Sequence, residues 1–358
     1  MLNIISIREY DADEHILSLT YLNKQGKINL IKCPPTYTFR SLIKNLLFLN
    51  PSNILRDIKK ILKIFSIILS SPKNSIVIIG CAPFNPWALF FLLFFINYKK
   101  VLHTSWDDWD EGKGVHFNNK LGYFIWNYFV KRIDMFITVS QPAKISLNQF
   151  YKDLKIKYIP HCVNFTKKQI NFKRDYDSDK KKIKLLYCGR IIKEKGIFDL
   201  CEAVRDDNKF YLTIVGNGKD KILLNKNYSK VKNIKMLGYV DYQELPKIYK
   251  ENDIICLFSK KTKNWHELFG MVLIEAMFFN LAIAVSNEKG PSWIAKSSKA
   301  GLVLDRKVNQ ESIINLLNRF ASDKVFLKKM QDNAGIFSRK YFDIKVVSET
   351  WLKTLESL

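Results

Sequence analysis

Residues 267–275 read ELFGMVLIE and place two acidic side chains eight positions apart, on either side of a glycine and an apolar run. The apolar run is typical of the opening turns of a buried helix, with Glu267 in the loop before it and Glu275 about two turns inside. The backbone N–H groups of Phe269 and Gly270 would then point out of the helix N-terminus, where the macrodipole favours a phosphate. Carboxylates beside an anion site indicate recognition of hydroxyl groups. Taken alone, however, the stretch is also typical of an ordinary amphipathic helix with two solvated acids.

Two further segments change that interpretation. Upstream, residues 186–197 read LYCGRIIKEKGI, an apolar strand followed by a glycine turn that carries Arg190 and Lys195. Downstream, residues 285–292 read VSNEKGPS. In order and spacing, the three segments resemble the retaining glycosyltransferases of family 4, which have the GT-B fold. The resemblance covers nearly all of residues 98–358 and is most specific between 183 and 305.

The resemblance implies a nucleotide-diphosphate sugar, UDP- or GDP-linked, as the donor. Arg190 and Lys195 would hold the diphosphate, whose negative charge rises as the glycosidic bond breaks. Glu275 would accept hydrogen bonds from the ribose, and Glu267 from the transferred sugar. The loop at 238–240, which would border the base, is equally compatible with a plain structural turn. The other residues expected at the nucleotide are Gly216, Asn217, Tyr239, Val240, Phe269 and Gly270.

His103 is the corresponding candidate in the first half of the chain, because it follows the predicted strand 99–102. Open α/β sheets bind ligands at the carboxyl ends of their strands. The resemblance places this histidine near the reacting carbon of the donor sugar, which makes it a catalytic candidate. Asp107, Asp108 and Asp110 could orient an acceptor hydroxyl or belong to a hydrated loop, and the loop is favoured for Asp110. An Asp pair also suggests a metal, but GT-B enzymes generally act without one, so no metal is expected.

The first loop departs from the family pattern. Family members usually carry a glycine-rich loop after the first strand, near the donor phosphates, whereas residues 8–15 contain no glycine. Gly26, between predicted strands at 2–7 and 27–33, indicates a hairpin turn.

At 358 residues, the chain is long enough for two domains with separate cores. We predict an α/β protein of the GT-B fold, with two Rossmann-like, doubly wound parallel sheets facing a central cleft. Strands are predicted near 183–188, 210–215, 233–237, 253–258, 281–285 and 300–304. The expected parts are an acceptor-side domain (1–165), a linker (166–182), a nucleotide-sugar domain (183–342) and a helix that crosses back to the first domain (343–358).

The formal charge of +24 favours polyanionic partners, although a codon bias toward lysine would also produce it. Residues 52–69 predict an amphipathic helix with an apolar stripe that packs inward and a basic face formed by Arg56, Lys59, Lys60 and Lys63. That face predicts contact with an anionic membrane surface. The longest apolar run, residues 87–96, is shorter than the roughly 20 residues that span a bilayer. No signal peptide is visible at residues 1–20, and the cysteines have no metal-ligand spacing, so a cytoplasmic protein, peripheral on the inner membrane face, is expected.

The sequence therefore predicts a retaining glycosyltransferase that transfers a sugar to a glycan or lipid-linked acceptor, in the synthesis of a surface polysaccharide or lipopolysaccharide. Two alternatives remain open. One is a nucleotide-sugar epimerase on the same fold, and the other is a basic nucleic-acid-binding protein. The second lacks any recognisable nucleic-acid motif, so no nucleic acid is expected as a partner.

Overall fold

The computed structural model describes residues 1–358 except 11–12, 82–93, 108, 110–119, 173–181, 263–264 and 306. The described residues form two compact units, Met1–Cys162 with Ile344–Leu358, and Val163–Asp343. Each unit contains a sheet of six parallel strands. The N-terminal unit contains the strands β1 (Leu2–Arg8), β2 (Ile28–Lys32), β3 (Ile76–Gly80), β4 (Lys99–Thr104), β5 (Met135–Thr138) and β6 (Ile156–Tyr158). Its helices are α1 (Leu17–Lys24), α2 (Tyr37–Leu47), α3 (Pro51–Ser70), α4 (Lys120–Val130) and α5 (Gln141–Phe150).

The N-terminal sheet has the order β2-β1-β3-β4-β5-β6. Helices cover both faces of this sheet, and its inner strand β3 (IVIIG) is accordingly a continuous buried apolar run. Ile5 packs on one face with Ile64 of α3, whereas Ile4 packs on the other face with Leu19 of α1. The alternation follows from the two-residue period of a strand.

The prediction of a hairpin turn at Gly26 is wrong, because β1 and β2 pair in parallel with α1 between them. Gly26 instead follows the end of α1 with φ +67°, a left-handed conformation that glycine adopts without strain. A two-residue turn can join only antiparallel strands.

Helix α3 forms as predicted, and its expected inward stripe is buried or half-buried at every position except Ile58 (the others are Ile54, Ile61, Phe65 and Ile68). Asp57, Ile64 and Ile68 are buried, whereas an exposed stripe is formed by Leu55, Ile58, Leu62 and Leu69. The buried Asp57 carboxylate accepts a 2.8 Å hydrogen bond from Asn45 of α2. Sequence spacing shows that an apolar stripe exists, but the packing partner decides which part of it is covered.

The last helix, α14 (Ile344–Glu356), belongs to the N-terminal unit, as the predicted fold class requires. Val347, Trp351 and Leu355 pack in the core that contains Leu19 of α1. Ser348 donates a 3.1 Å hydrogen bond to the carbonyl of Ser18.

The C-terminal unit has the strand order β12-β11-β10-β7-β8-β9. This is the doubly wound order in which the first and fourth strands of the unit, β7 and β10, lie side by side. The predicted strands all form within one or two residues of their expected ends: β7 (Ile183–Cys188), β8 (Phe210–Val215), β9 (Ile234–Gly238), β10 (Ile254–Leu257), β11 (Ala282–Ser286) and β12 (Gly301–Leu304). The helices are α6 (Lys167–Ile170), α7 (Ile197–Val204), α8 (Lys221–Tyr228), α9 (Leu245–Glu251), α10 (Met271–Phe278), α11 (Lys289–Ser298), α12 (Gln310–Ser322) and α13 (Lys324–Tyr341).

Candidate active site

The loops after β7 and β10 meet at the point where the strand order of the C-terminal sheet reverses, which is where open α/β sheets bind ligands. The backbone N–H of Lys260 donates a 2.8 Å hydrogen bond to the carbonyl of Glu194. Gly196, in the left-handed conformation, lies so close that a Cβ atom there would be 2.0 Å from the carbonyl oxygen of Phe258. The two loops therefore form one packed edge of the sheet.

Backbone contacts also join the loops after β7 and β8. A Cβ atom on Gly216 would lie 1.8 Å from the carbonyl oxygen of Gly189, and the φ of Gly216 is +140°. The backbone N–H of Ile191 donates to the carbonyl of Asn217 at 2.8 Å. Gly216 and Asn217 thus lie beside the turn that carries the exposed Arg190. Only glycine allows this close approach of two backbones.

Lys195 and Glu267 form an ion pair across the two loops. The Lys195 Nζ atom contacts Glu267 Oε2, and the two side chains are 11% and 12% exposed. Ser259 donates a 3.3 Å hydrogen bond to the same carboxylate oxygen, and the Trp265 ring lies 5.4 Å from the ammonium. The two residues were predicted to contact different parts of the ligand, and their contact with each other was not predicted.

Glu275 lies closer to the start of its helix than predicted. Helix α10 begins at Met271, after Gly270 in the left-handed conformation, so the carboxylate lies just over one turn inside and not two. Tyr249 of α9 donates a 2.7 Å hydrogen bond to Glu275 Oε2. Burial and the Glu275 charge raise the pKa of Tyr249 well above its usual value, so this hydroxyl keeps its proton and donates.

The side chains of the remaining residues predicted to contact the nucleotide differ in their exposure. The Tyr239 side chain is 72% exposed and Val240 is half-buried, both directly after β9. The ring of Phe269 is buried, with its centroid 6.2 Å from that of Phe342, so only its backbone could serve a ligand.

In the N-terminal unit, His103 is buried at the end of β4 and accepts a hydrogen bond from Arg8. The Arg8 Nη2 atom lies 2.8 Å from His103 Nδ1. A guanidinium can only donate, so Nδ1 accepts and the neutral ring carries its proton on Nε2. Burial, followed by the charge of Arg8, lowers the pKa of His103 well below its usual value. The ring is therefore a neutral donor at physiological pH.

Two further histidines and a tryptophan surround this pair. The His161 ring lies 6.2 Å from that of His103 and 4.7 Å from that of His15, and Trp351 of α14 meets His103 edge-on at 5.2 Å. Arg8 was not predicted as a site residue. Its one signal in the sequence is that a charged residue ends the apolar run of β1.

Of the acidic residues that closely follow His103, the structure describes Asp107. Asp107 is buried, which excludes a hydrated loop at that position. Asp108 and Asp110 lie outside the described residues.

Within the described part of the chain, no group of three or more His, Cys, Asp or Glu side chains could hold a metal ion. Over the same residues, no helix has both the length and the apolar content needed to cross a membrane.

The architecture is that of a GT-B glycosyltransferase. HepE of Anabaena, solved in complex with UDP, superposes with a TM-score of 0.69 over the whole of both chains at 15% identity. Residues 168–337 match the family described as glycosyl transferases group 1. The chain thus carries a glycosyltransferase group 1 domain and is an enzyme of the transferase class.

Two relatives are similar in sequence. A protein of Methanocaldococcus jannaschii described as an uncharacterised glycosyltransferase is 27% identical over 277 residues, which cover 73% of this chain and 69% of the relative. A lipopolysaccharide core biosynthesis glycosyltransferase of Rhizobium meliloti is 20% identical over 169 residues. That match covers 47% of this chain and 48% of the relative.

Proposed function

We propose that this enzyme transfers a sugar, with retention of configuration, from a UDP- or GDP-sugar to a hydroxyl group of a glycan or lipid-linked acceptor. The observation that carries the proposal is the Lys195–Glu267 pair beside Arg190 at the switch point of the C-terminal sheet, with Glu275 on the next helix. A role in surface polysaccharide or lipopolysaccharide synthesis is supported by the Rhizobium relative. The UDP complex of HepE supports the class of donor.

In the proposed reaction, Arg190 and Lys195 hold the diphosphate as the bond between the anomeric carbon and the phosphate oxygen breaks. Preorganised positive charge stabilises the developing phosphate charge without reorganisation during the reaction. The acceptor oxygen forms the new bond on the same face of the sugar. The departing phosphate oxygen takes the acceptor proton, so the products are the glycoside and a nucleoside diphosphate.

A screen of nucleotide sugars by thermal shift, followed by donor hydrolysis assays on the hits, tests the donor. We expect Arg190→Ala to weaken binding of the nucleoside diphosphate and Glu275→Ala to weaken any nucleoside-containing ligand. Arg205→Ala is the matched control, because this exposed arginine follows α7, away from the carboxyl ends of the strands. Wild-type turnover in a folded Arg190→Ala, Glu275→Ala double variant would rule out the assigned site.

For His103 we propose the role that the resemblance implies, contact with the transferred sugar through a neutral ring that donates from Nε2. His103→Ala should then lower kcat far more than it lowers affinity for the nucleoside diphosphate. A collapse of nucleoside diphosphate affinity would instead make His103 a structural residue.

We further propose that α3 binds an anionic membrane surface. Its exposed stripe is bordered by Arg56, Lys59, Lys60 and Lys63, all of them exposed. An apolar stripe beside a basic one is the pattern of a helix that lies in the membrane interface. Each basic residue near an anionic surface contributes about 1 kcal/mol, so the four together can hold a protein reversibly.

Vesicle co-sedimentation with and without anionic lipid tests the membrane proposal. Reversing the charges of Lys59, Lys60 and Lys63 should release the protein and preserve donor hydrolysis in solution. The matched control reverses three exposed lysines of the C-terminal unit, Lys226, Lys230 and Lys232. Failure of the wild type to bind anionic vesicles at low salt would contradict the proposal, because screening is weakest there.

A further inference from the structure

A pocket opens at the carboxyl ends of β1 and β2 in the N-terminal unit, and its empty space of about 290 Å³ includes the open solvent in front of it. The enclosed part has room for only one or two water-sized groups, such as the oxygen atoms of a small anion. The strand order of this sheet reverses between β1 and β3, so the pocket lies beside the switch point where doubly wound sheets bind ligands. Its lining consists of Ser6, Arg8, Tyr10, Asp13, Ile16, Lys32, Cys33 and Pro35.

Two polar atoms on the pocket-lining residues are buried without a partner among the described residues: Ser6 Oγ and Arg8 Nε. Ser6 is only 3% exposed. The Nη2 atom of Arg8 is occupied, because it lies 2.8 Å from His103 Nδ1 and donates to the carbonyl of His15 at 3.4 Å. A buried donor without an acceptor is costly, and native structures keep few of them without a functional reason.

Gly80 makes room for this arginine. In the sheet register, Arg8 pairs with Gly80, and Gly80 pairs with His103, so the guanidinium reaches His103 across the intervening strand. A Cβ atom on Gly80 would lie 3.0 Å from Arg8 Nη1 and 3.2 Å from its Cγ. Any side chain at position 80 would therefore push the Arg8 side chain aside by a few tenths of an ångström.

The charge of the lining favours an anion. Arg8 and Lys32 contribute two positive charges, and the one carboxylate in the lining, Asp13, lies 2.6 Å from Lys32 Nζ. The Asp13 side chain is 71% exposed, so an incoming anion competes with a well-solvated partner for this lysine. Burial raises the pKa of Cys33 to about 12, so the thiol adds no charge. Tyr10, stacked on Tyr37 with 5.8 Å between ring centroids, adds an exposed aromatic surface beside these donors.

We infer that this pocket binds a phosphate or carboxylate group carried by the sugar acceptor, with Arg8 Nε, Ser6 Oγ and Lys32 Nζ as the donors. That the anionic group belongs to the sugar acceptor rests on the proposed function. That the pocket binds an anion rests on the pocket itself. It narrows the acceptor to an acidic sugar or a sugar phosphate.

The test follows the ¹⁵Nε–¹H signal of Arg8 in full-length protein labelled at its arginine side chains, with the signal assigned by its loss in Arg8→Lys. The probes are glycerol 3-phosphate, glucuronate and neutral methyl glucoside. We expect a saturable shift with at least one anion and none with the neutral sugar. A response to phosphate alone identifies a phosphorylated acceptor, and a response to glucuronate alone identifies an acidic one. No shift with either anion, or an equal shift with methyl glucoside, overturns the inference.

Substitutions of other residues around the pocket test the assigned donors without changing Arg8 itself. Ser6→Ala should lower the affinity for the anion at least threefold. Gly80→Ala should lower it about tenfold, because the added Cβ moves Arg8. Arg132→Met, at the end of α4, is the control and should leave the response unchanged. Unaltered affinity in both pocket variants would contradict the assigned donors.

The donor screen separates this inference from the proposed function. The anion titration is repeated with the nucleoside diphosphate of the screen present at saturation, and the Arg8 response should persist. Competition between the two ligands would assign the pocket to the donor diphosphate and overturn the inference. A protein that binds no nucleotide sugar but shows the Arg8 response would keep the anion site and lose the proposed function.

Discussion

Replacing Lys195 by methionine removes the cation of an ion pair in which both side chains are nearly buried, 11% and 12% exposed. The Glu267 carboxylate would keep one hydrogen bond from Ser259, at 3.3 Å, and lose its compensating charge. Breaking a buried pair on one side typically costs about 3–5 kcal/mol, whereas replacing both partners is often nearly neutral. We therefore expect Lys195→Met to destabilise the C-terminal unit by about 3 kcal/mol, and a second substitution, Glu267→Gln, to restore most of the loss.

Hydrogen exchange of the β7 and β10 amides measures the opening free energy of this unit in the intact chain. The control is Lys260→Met, which breaks the more exposed pair between Lys260 and Asp199, at 2.5 Å and with side chains 38% and 23% exposed. An exposed pair contributes less than about 1 kcal/mol. The reasoning is refuted if Lys195→Met costs no more than the control, or if the double variant is as unstable as the single one. Both Lys195 variants should lose affinity for the nucleoside diphosphate, which separates binding from stability.

Three other substitutions or conditions have expected outcomes. Tyr249→Phe removes the hydrogen bond to Glu275 and should lower nucleotide affinity about tenfold by calorimetry. Gly216→Ala combines a backbone clash with a positive φ and should destabilise the C-terminal unit by about 3 kcal/mol or more in urea. Burial, followed by the charge of Arg8, lowers the pKa of His15 to about 4, and burial and the charge of His15 lower that of His161 well below its usual value. Because the unfolded chain binds these protons below pH 6.5, the N-terminal unit should lose about 1.4 kcal/mol per histidine at pH 5.5, and His161→Gln should reduce that loss.

Each of these has a matched comparison. Tyr228→Phe likewise removes a hydrogen bond from a tyrosine hydroxyl to a carboxylate, that of Glu202 at 3.0 Å. It should leave nucleotide affinity unchanged. Gly26→Ala has a positive φ but nothing within 4 Å of the added Cβ, so it should cost only about 1 kcal/mol of strain. Equal losses at the two glycines would show that the clash at Gly216 relaxes freely. For the acid effect, equal opening free energies of the N-terminal unit at pH 7.5 and 5.5 would contradict the argument.

The sequence predicted the C-terminal sheet well because its signals are local. Each strand is a short apolar run, and glycines such as Gly189 and Gly216 follow directly at the strand ends. In the N-terminal half the same signals are weaker. Helix α1 has only eight residues, so its pattern was missed and Gly26 was assigned to a hairpin.

What the sequence could not supply is the set of contacts between distant polar side chains. Lys195 and Glu267 are 72 positions apart, and Arg8 and His103 are 95 apart. Composition and period carry no information on such pairs, because they depend on which strand ends become neighbours in the sheet. The same limit applies to α3, where Ile58 of the predicted inward stripe and the neighbouring Leu55, Leu62 and Leu69 are exposed.

One cation in each unit, Lys195 or Arg8, is held by a protein partner. Lys195 contacts Glu267. Arg8 donates a hydrogen bond to Nδ1 of His103, whose neutral ring therefore carries its proton on Nε2 and can donate from there. A cation held in place loses little conformational entropy when a phosphate arrives, which favours binding. In the proposed site the same partner would also limit affinity, because a bound phosphate would share Lys195 with the Glu267 carboxylate. That sharing has a use in transfer, because a carboxylate partly released from its lysine can accept a hydrogen bond from a sugar hydroxyl. On this argument Glu267→Gln should bind the nucleoside diphosphate at least as tightly as the wild type and yet lose affinity for the complete sugar donor.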